Sequence, residues 1–161
     1  MSKGTIEIKT HECYTVSHFN FIANIFIKER NHVLQYLYEE IHPTNVDKSR
    51  IRTIITDAKV GKQIVGSCLS YIWKEDNTNF HISYFAIDPM YRDSKIGTLM
   101  LKDIEKDIKV LNIGIKSISL YVSIENFNAI GLYIKQGFKI VEFIEKGYNA
   151  RIGYYLMKKD L

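Results

Sequence analysis

The chain predicts a mixed α/β fold, a largely antiparallel sheet with interspersed helices. Three observations predict it. Alternating or β-branched runs mark seven strands, apolar residues three and four apart mark four helices, and three of the strands follow one another with only turns between them. Thr5 to Lys9 alternates as a short strand. Val16 to about Lys28 is apolar at helical spacing through Phe19, Ile22 and Phe26. A second helix carries Val33, Tyr36, Leu37 and Ile41 on one stripe and stops near His42, because Pro43 disfavours helical backbone in the residue before it. Ile51 to Ala58 and Gln63 to Trp73 form a hairpin about the Lys59 to Lys62 turn, and Phe80 to Ile87 pairs antiparallel with the second of these strands.

After the loop Asp88 to Ile96, the residues Met100, Leu101, Ile104, Ile108 and Leu111 mark an amphipathic helix from Gly97 to about Asn112, capped by Gly114. Ile118, Leu120 and Val122 alternate on one face of a strand. Ala129 to Gln136 is a short helix closed by Gly137, and Phe138 to Glu145 with Arg151 to Met157 forms a last hairpin around Gly147. The order is βααβββαβαββ.

Composition bounds the function. With 161 residues, 46% hydrophobic and 25% charged, the chain suits one globular domain, and its two Pro and nine Gly exclude disordered and collagen-like classes. Phe21 to Ile27 is the longest near-apolar stretch, far short of the roughly 20 residues of a membrane span, and MSKGTIEIKTHEC lacks the apolar core of a signal peptide, so the expected location is the cytoplasm. Cys13 and Cys68 stand 55 positions apart with no metal-ligand or CxxC spacing, so both read as structural and no metal is expected. The net charge of +4 comes from 17 Lys and 5 Arg spread along the chain, which suits an anionic ligand better than a nucleic-acid stripe.

The segment that carries chemistry is Ile87-Asp88-Pro89-Met90-Tyr91-Arg92-Asp93-Ser94-Lys95-Ile96-Gly97-Thr98. It joins a strand end to a helix start, where amide N–H groups without helical partners and the macrodipole favour an anion such as phosphate. Gly97 permits close approach to the backbone and Lys95 adds a charge. Neither the Walker pattern nor a GxGxxG fingerprint occurs. A second segment, Asn126 to Phe138, places an Asn after a strand and Tyr133 one turn beyond Ala129 on a short helix. A tyrosine with an ordinary pKa of about 10 is protonated at neutrality and can act as an acid.

Together these segments resemble the GNAT superfamily of acetyl-CoA-dependent N-acetyltransferases: Ile87-x-Pro-x-Tyr-Arg-x-x-x-Ile-Gly, then about thirty residues later Asn126-x-x-Ala129-x-x-Leu-Tyr133-x-x-x-Gly-Phe138. The resemblance spans roughly Gly66 to the C-terminus. It implies a six- to seven-stranded, mostly antiparallel sheet with helices on both faces and two central parallel strands that splay apart. It also divides one domain, 1–161, into an acceptor side over 1–60 and an acetyl-CoA-binding core over 63–161.

By the same resemblance, backbone groups of Phe85, Ala86 and Ile87 pair with the pantetheine amides, and the amides of Asp93, Ser94, Lys95, Ile96, Gly97 and Thr98 hold the pyrophosphate. The family pattern reads Arg or Gln, two residues, Gly, one residue, Gly or Ala. Arg92 and Gly97 match it, whereas Lys95 stands at the first glycine; at an ordinary φ its ammonium would add to the phosphate contacts. Asn126 matches a cofactor contact and Tyr133 the residue that protonates the departing CoA thiolate. No metal is implied.

The proton acceptor must be argued locally. His81 is expected on one face with Ser83, Phe85 and Ile87, and an imidazole of ordinary pKa about 6.5 suits a base near neutrality. Glu39, Glu40 and His42 are alternatives, acting through a water. Family members that acetylate a ribosomal protein N-terminus tend to carry Glu where Tyr121 stands, which weakens a direct transfer of that mechanism but not of peptide acceptors in general. The expected acceptor is a primary amine of a small molecule. A peptide or protein amine is the alternative within the class, and a non-catalytic acyl-CoA-sensing or interaction domain is the alternative outside it. A monomer or a homodimer is expected, with no nucleic-acid or membrane partner.

Overall fold

A computed structural model describes residues 5–11, 16–25, 50–111, 113–145 and 152–161. Seven strands form one sheet in the order β1-β2-β3-β4-β5-β7-β6. They are β1 (Ile6–His11), β2 (Arg50–Val60), β3 (Gln63–Trp73), β4 (Asn79–Ile87), β5 (Ser117–Ser123), β6 (Lys139–Ile144) and β7 (Tyr154–Asp160). The helices are α1 (Val16–Ile25), α2 (Ile96–Leu111) and α3 (Phe127–Lys135), with a 3-10 turn at Pro89–Tyr91. The second predicted helix, from Val33 to His42, lies outside the described residues.

Every adjacent pair is antiparallel except β4 with β5. A parallel pair needs a crossover, and α2 supplies it between the end of β4 and the start of β5. The last hairpin folds back so that β7, not β6, lies against β5.

The central strands read as continuous apolar runs because both faces are covered. On one face Ile54, Ala58, Cys68, Ile72, Phe80 and Ile82 pack with Ile96, Met100, Leu101, Ile104 and Ile108 of α2. On the other, Ile55, Leu69, Tyr71 and Ala86 pack with Ile22 and Ala23 of α1. The stripe that predicted α2 is therefore its buried face. Gly66 belongs to this packing, since a Cβ there would meet Met100 Sδ at 2.8 Å.

The α1 face also encloses a polar cluster. Asp57 is fully buried on β2; its Oδ2 lies 2.6 Å from His18 Nε2, and its Oδ1 accepts from Ser67 Oγ at 2.8 Å. His11 Nε2 lies 3.7 Å from the same Oδ2, too far to bond. A buried carboxylate is tolerated only when its oxygens are paired, so this cluster ties α1 and β3 to β2. Asp57→Ala would leave His18 and Ser67 facing a gap. The expected loss of stability is about 3 kcal/mol, read from the urea unfolding midpoint.

Candidate functional site

The site begins with one extra residue. Along β4, Ile82 pairs with Ser70 and Tyr84 with Leu69, so Ser83 is left over as a β-bulge. The parallel ladder to β5 covers only Asn79↔Ser117 to Ile82↔Leu120 and ends at the bulge. Beyond it, residues 83–87 of β4 keep β3 as their only described strand partner, while Tyr121, Val122 and Ser123 of β5 pair with β7. The two strands splay, leaving a gap at mid-sheet where the backbone edge of β4 has no strand partner among the described residues. Phe85, Ala86 and Ile87 all lie on that edge.

The bulge corrects one sequence expectation. His81 pairs with Tyr71 and so faces α1, whereas Phe85 pairs with Cys68 and faces α2. His81 therefore shares no face with Phe85 and Ile87, because the extra residue shifts a period-two pattern by one. Its ring lies edge-on to Tyr121, centroids 5.4 Å apart, with Nδ1 3.0 Å from Ser119 Oγ. Burial pushes its pKa down to about 4. The ordinary imidazole pKa that recommended it as a base is thus absent; the ring is neutral at pH 7 and a weak proton acceptor.

Beyond β4, Asp88 Oδ1 accepts from Met90 N at 2.8 Å and starts the 3-10 turn, while Ser94 Oγ donates to Tyr91 O. These bonds occupy both side chains in shaping the loop. The first α2 bond runs from Leu99 N to Lys95 O at 3.0 Å, so the amides of Ile96, Gly97 and Thr98 have no partner within the helix. Arg92 and Lys95 are exposed beside them, and Asp93 adds an opposing carboxylate.

Lys95 does not take an ordinary φ. Its φ is 63° and that of Asp93 is 62°, both left-handed, so the turn keeps a backbone shape natural to glycine with other residues in it. Gly97 has a packing reason. A Cβ there would come within 2.8 Å of Leu132 Cδ2 and 3.1 Å of Ile87 Cδ1, so the start of α2 sits directly against β4 and α3.

Asn126 is the N-cap of α3. Its Oδ1 accepts from Ala129 N at 3.2 Å, and its NH2 has no partner among the described residues. Gly137, at φ 90°, ends the helix, and Phe138 N donates to Tyr133 O at 3.0 Å. The cap and this terminus hold Tyr133 between Phe85 and Phe138, with ring centroids 6.2 and 5.6 Å away. Burial, with Cys68 adding to it, raises the Tyr133 hydroxyl well above its usual range. Cys68 itself is buried and free, its thiol pushed up to about 12 chiefly by burial, which leaves it unreactive.

Tyr133 thus stands on the α2 face and His81 with Tyr121 on the α1 face, on opposite sides of the sheet near the point where the β4–β5 ladder ends. Sequence reading missed the bulge, and it missed Asn79, Ser117 and Ser119, which bond to one another and to His81. The alternation on β5 held the signal: its apolar face was noticed, but its other face, Ser117, Ser119, Tyr121 and Ser123, was not. Glu39, Glu40 and His42 lie outside the described residues. Among the described residues no group of three or more metal-ligating side chains forms a cluster.

Two outcomes follow from this geometry. Lys95→Gly removes left-handed strain and, after the added flexibility of the unfolded chain, should stabilise the fold by about 0.5–1 kcal/mol in thermal unfolding. Because burial lowers the His81 pKa, the unfolded chain binds a proton between pH 6.5 and about 4 that the folded chain does not. Stability should therefore fall as pH drops through that window, and the fall should be smaller in His81→Gln, as measured by urea midpoints at each pH.

Comparison with known proteins agrees with the geometry. Residues 16–138 match the model of the acetyltransferase (GNAT) family. A protein described as a GNAT-family acetyltransferase of Desulfovibrio desulfuricans superposes with a TM-score of 0.75 at 10% identity, covering 97% of this chain and 99% of its own. A GNAT-family acetyltransferase of Elizabethkingia anophelis with acetyl-CoA bound gives 0.71 at 20% identity, covering 97% and 98%. The ribosomal-protein-S18-alanine N-acetyltransferase of Escherichia coli gives 0.67 at 15% identity, covering 96% and 94%. None of the curated proteins compared matches the chain. With a bulged, splayed sheet, a helix start suited to phosphate and a family match over most of its length, the chain belongs to the acetyltransferase (GNAT) family.

Proposed function

We propose that the protein transfers the acetyl group of acetyl-CoA directly to a primary amine of a small molecule. One observation carries the reading: the unpaired edge of β4 runs from the gap at Ile82 to the free amides at the start of α2. An extended amide-bearing arm ending in a pyrophosphate fits that track, as an added strand along Phe85, Ala86 and Ile87 and as an anion on the amides of Asp93 to Thr98. Arg92, Lys95 and the NH2 of Asn126 supply further donors. The solved relative with acetyl-CoA bound supports the same cosubstrate.

In this reading the amine nitrogen bonds to the thioester carbonyl carbon as the carbon–sulfur bond breaks. The ammonium form gives up two protons overall, one to the CoA sulfur and one to water. The gap lets the two halves of the reaction approach from opposite faces of the sheet. Tyr133, protonated and buried on the α2 face, gives its proton to the leaving sulfur and is replenished as the amine loses its own. Backbone N–H groups of β4 hold the developing oxyanion in this reading. On the α1 face the neutral His81 and Tyr121 meet the acceptor. An aromatic and uncharged surface there supports a small amine over a polycationic one, while Tyr121, where members acting on ribosomal protein N-termini tend to carry Glu, counts only against that mechanism.

Isothermal titration with acetyl-CoA and then with free CoA is the direct check. Micromolar binding of both, followed by amine-dependent thiol release, is the expected result; absence of binding would leave a fold without the activity. Tyr133→Phe should lower kcat by about 10- to 10³-fold with acetyl-CoA affinity within twofold of the parent.

A further inference from the structure

A chain of polar side chains crosses the short parallel ladder next to the gap. Ser117 Oγ donates to Asn79 Oδ1 at 3.1 Å, Asn79 Nδ2 donates to Ser119 Oγ at 2.7 Å, and Ser119 Oγ lies 3.0 Å from His81 Nδ1. The backbone register holds the four together, with Asn79 opposite Ser117 and His81 opposite Ser119. Both serines are buried, Ser117 at 4% and Ser119 at 6% exposure.

The polarity of this chain determines where the imidazole proton sits. An amide NH2 only donates, so Ser119 accepts from Asn79 and keeps one proton of its own. Nδ1 of His81 is the acceptor within reach. Were Nδ1 protonated instead, Ser119 Oγ would accept from both Asn79 and His81, and its own buried proton would be left without an acceptor among the described side chains, which burial penalises. We propose that Ser117, Asn79 and Ser119 are positioning residues that hold His81 as its Nε2–H tautomer, so that the far nitrogen of the ring, away from Ser119, is a hydrogen-bond donor and not a lone pair. The matching ligand chemistry is a carbonyl oxygen, either that of the thioester or one carried by the amine. The tautomer is a property of the free protein; only its use rests on the proposed acetyl transfer.

The test is long-range 1H–15N NMR of the full chain labelled at histidine, with the His81 signals identified by their loss in His81→Gln. The expected spectrum at pH 7 shows Nε2–H for His81. Ser119→Ala should convert it to a mixture of tautomers and Ser119→Thr should preserve it. Asn79→Asp is sharper: a carboxylate accepts from both serines, so Ser119 must then accept from His81 and the signal should switch to Nδ1–H. A dominant Nδ1–H form in the parent protein, or no change in Asn79→Asp, would overturn the proposal.

Kinetics tie the tautomer to catalysis. Ser119→Ala should lower kcat/KM by about tenfold, with Ser119→Thr restoring it. A loss confined to kcat assigns the donor to the thioester carbonyl, and a rise confined to the acceptor KM assigns it to an oxygen on the amine. Unchanged kinetics in a variant whose tautomer has changed would overturn the catalytic half alone. A protein with the expected tautomer that binds no acetyl-CoA would instead sink the acetyl-transfer reading.

Discussion

One extra residue in a central strand is the constraint from which the site follows. Backbone hydrogen bonding in a sheet leaves no room for an unpaired residue, so the strand that carries Ser83 must bend or lose a neighbour. Here β4 stays with β3 and parts from β5. That choice opens backbone donors and acceptors at mid-sheet, where they are normally consumed. The same register shift turns His81 toward α1 and Phe85 toward α2, so the groups around the gap divide between its two sides.

Holding that gap open needs firm packing on both faces. On the α2 face the close contact at Gly97, with Leu132 and Ile87 within reach of a single added carbon, presses the start of the helix against the end of β4. The free amides of α2 are thereby set at the end of the unpaired edge. On the α1 face the buried Asp57 binds His18 and Ser67, linking a short helix to two strands through groups that are costly to leave unpaired. Apolar contacts supply attraction, while the polar ones specify position.

The electrostatics of the two sides differ in kind. Burial keeps Tyr133 protonated and His81 neutral, so near the gap both rings carry no charge at neutrality. A site of this kind works through direction, by where each proton points, and not through fixed charge. The cationic groups, Arg92 and Lys95, stand apart at the exposed loop. Lys95 holds a left-handed φ in that loop, a strain that other contacts must outweigh.

Much of this was legible from sequence alone. Apolar periodicity located the described strands and helices to within a few residues, because spacing two or 3.6 is a local property of the backbone. The two motifs, around Arg92 and Gly97 and around Asn126 and Tyr133, named the loop and the short helix that flank the gap. What sequence could not decide was everything that depends on counting across strands. Ser83 looks like any strand residue until β3 pairs on either side of it, and so the face of His81 was assigned wrongly. Asn79, Ser117 and Ser119 read as ordinary polar positions until the parallel register brings them together. The φ of Lys95 and the pKa of His81 likewise depend on surroundings that lie far away in the chain. Local pattern determines elements; register, burial and hydrogen-bond polarity arise only when distant segments meet, and in this protein they decide the chemistry.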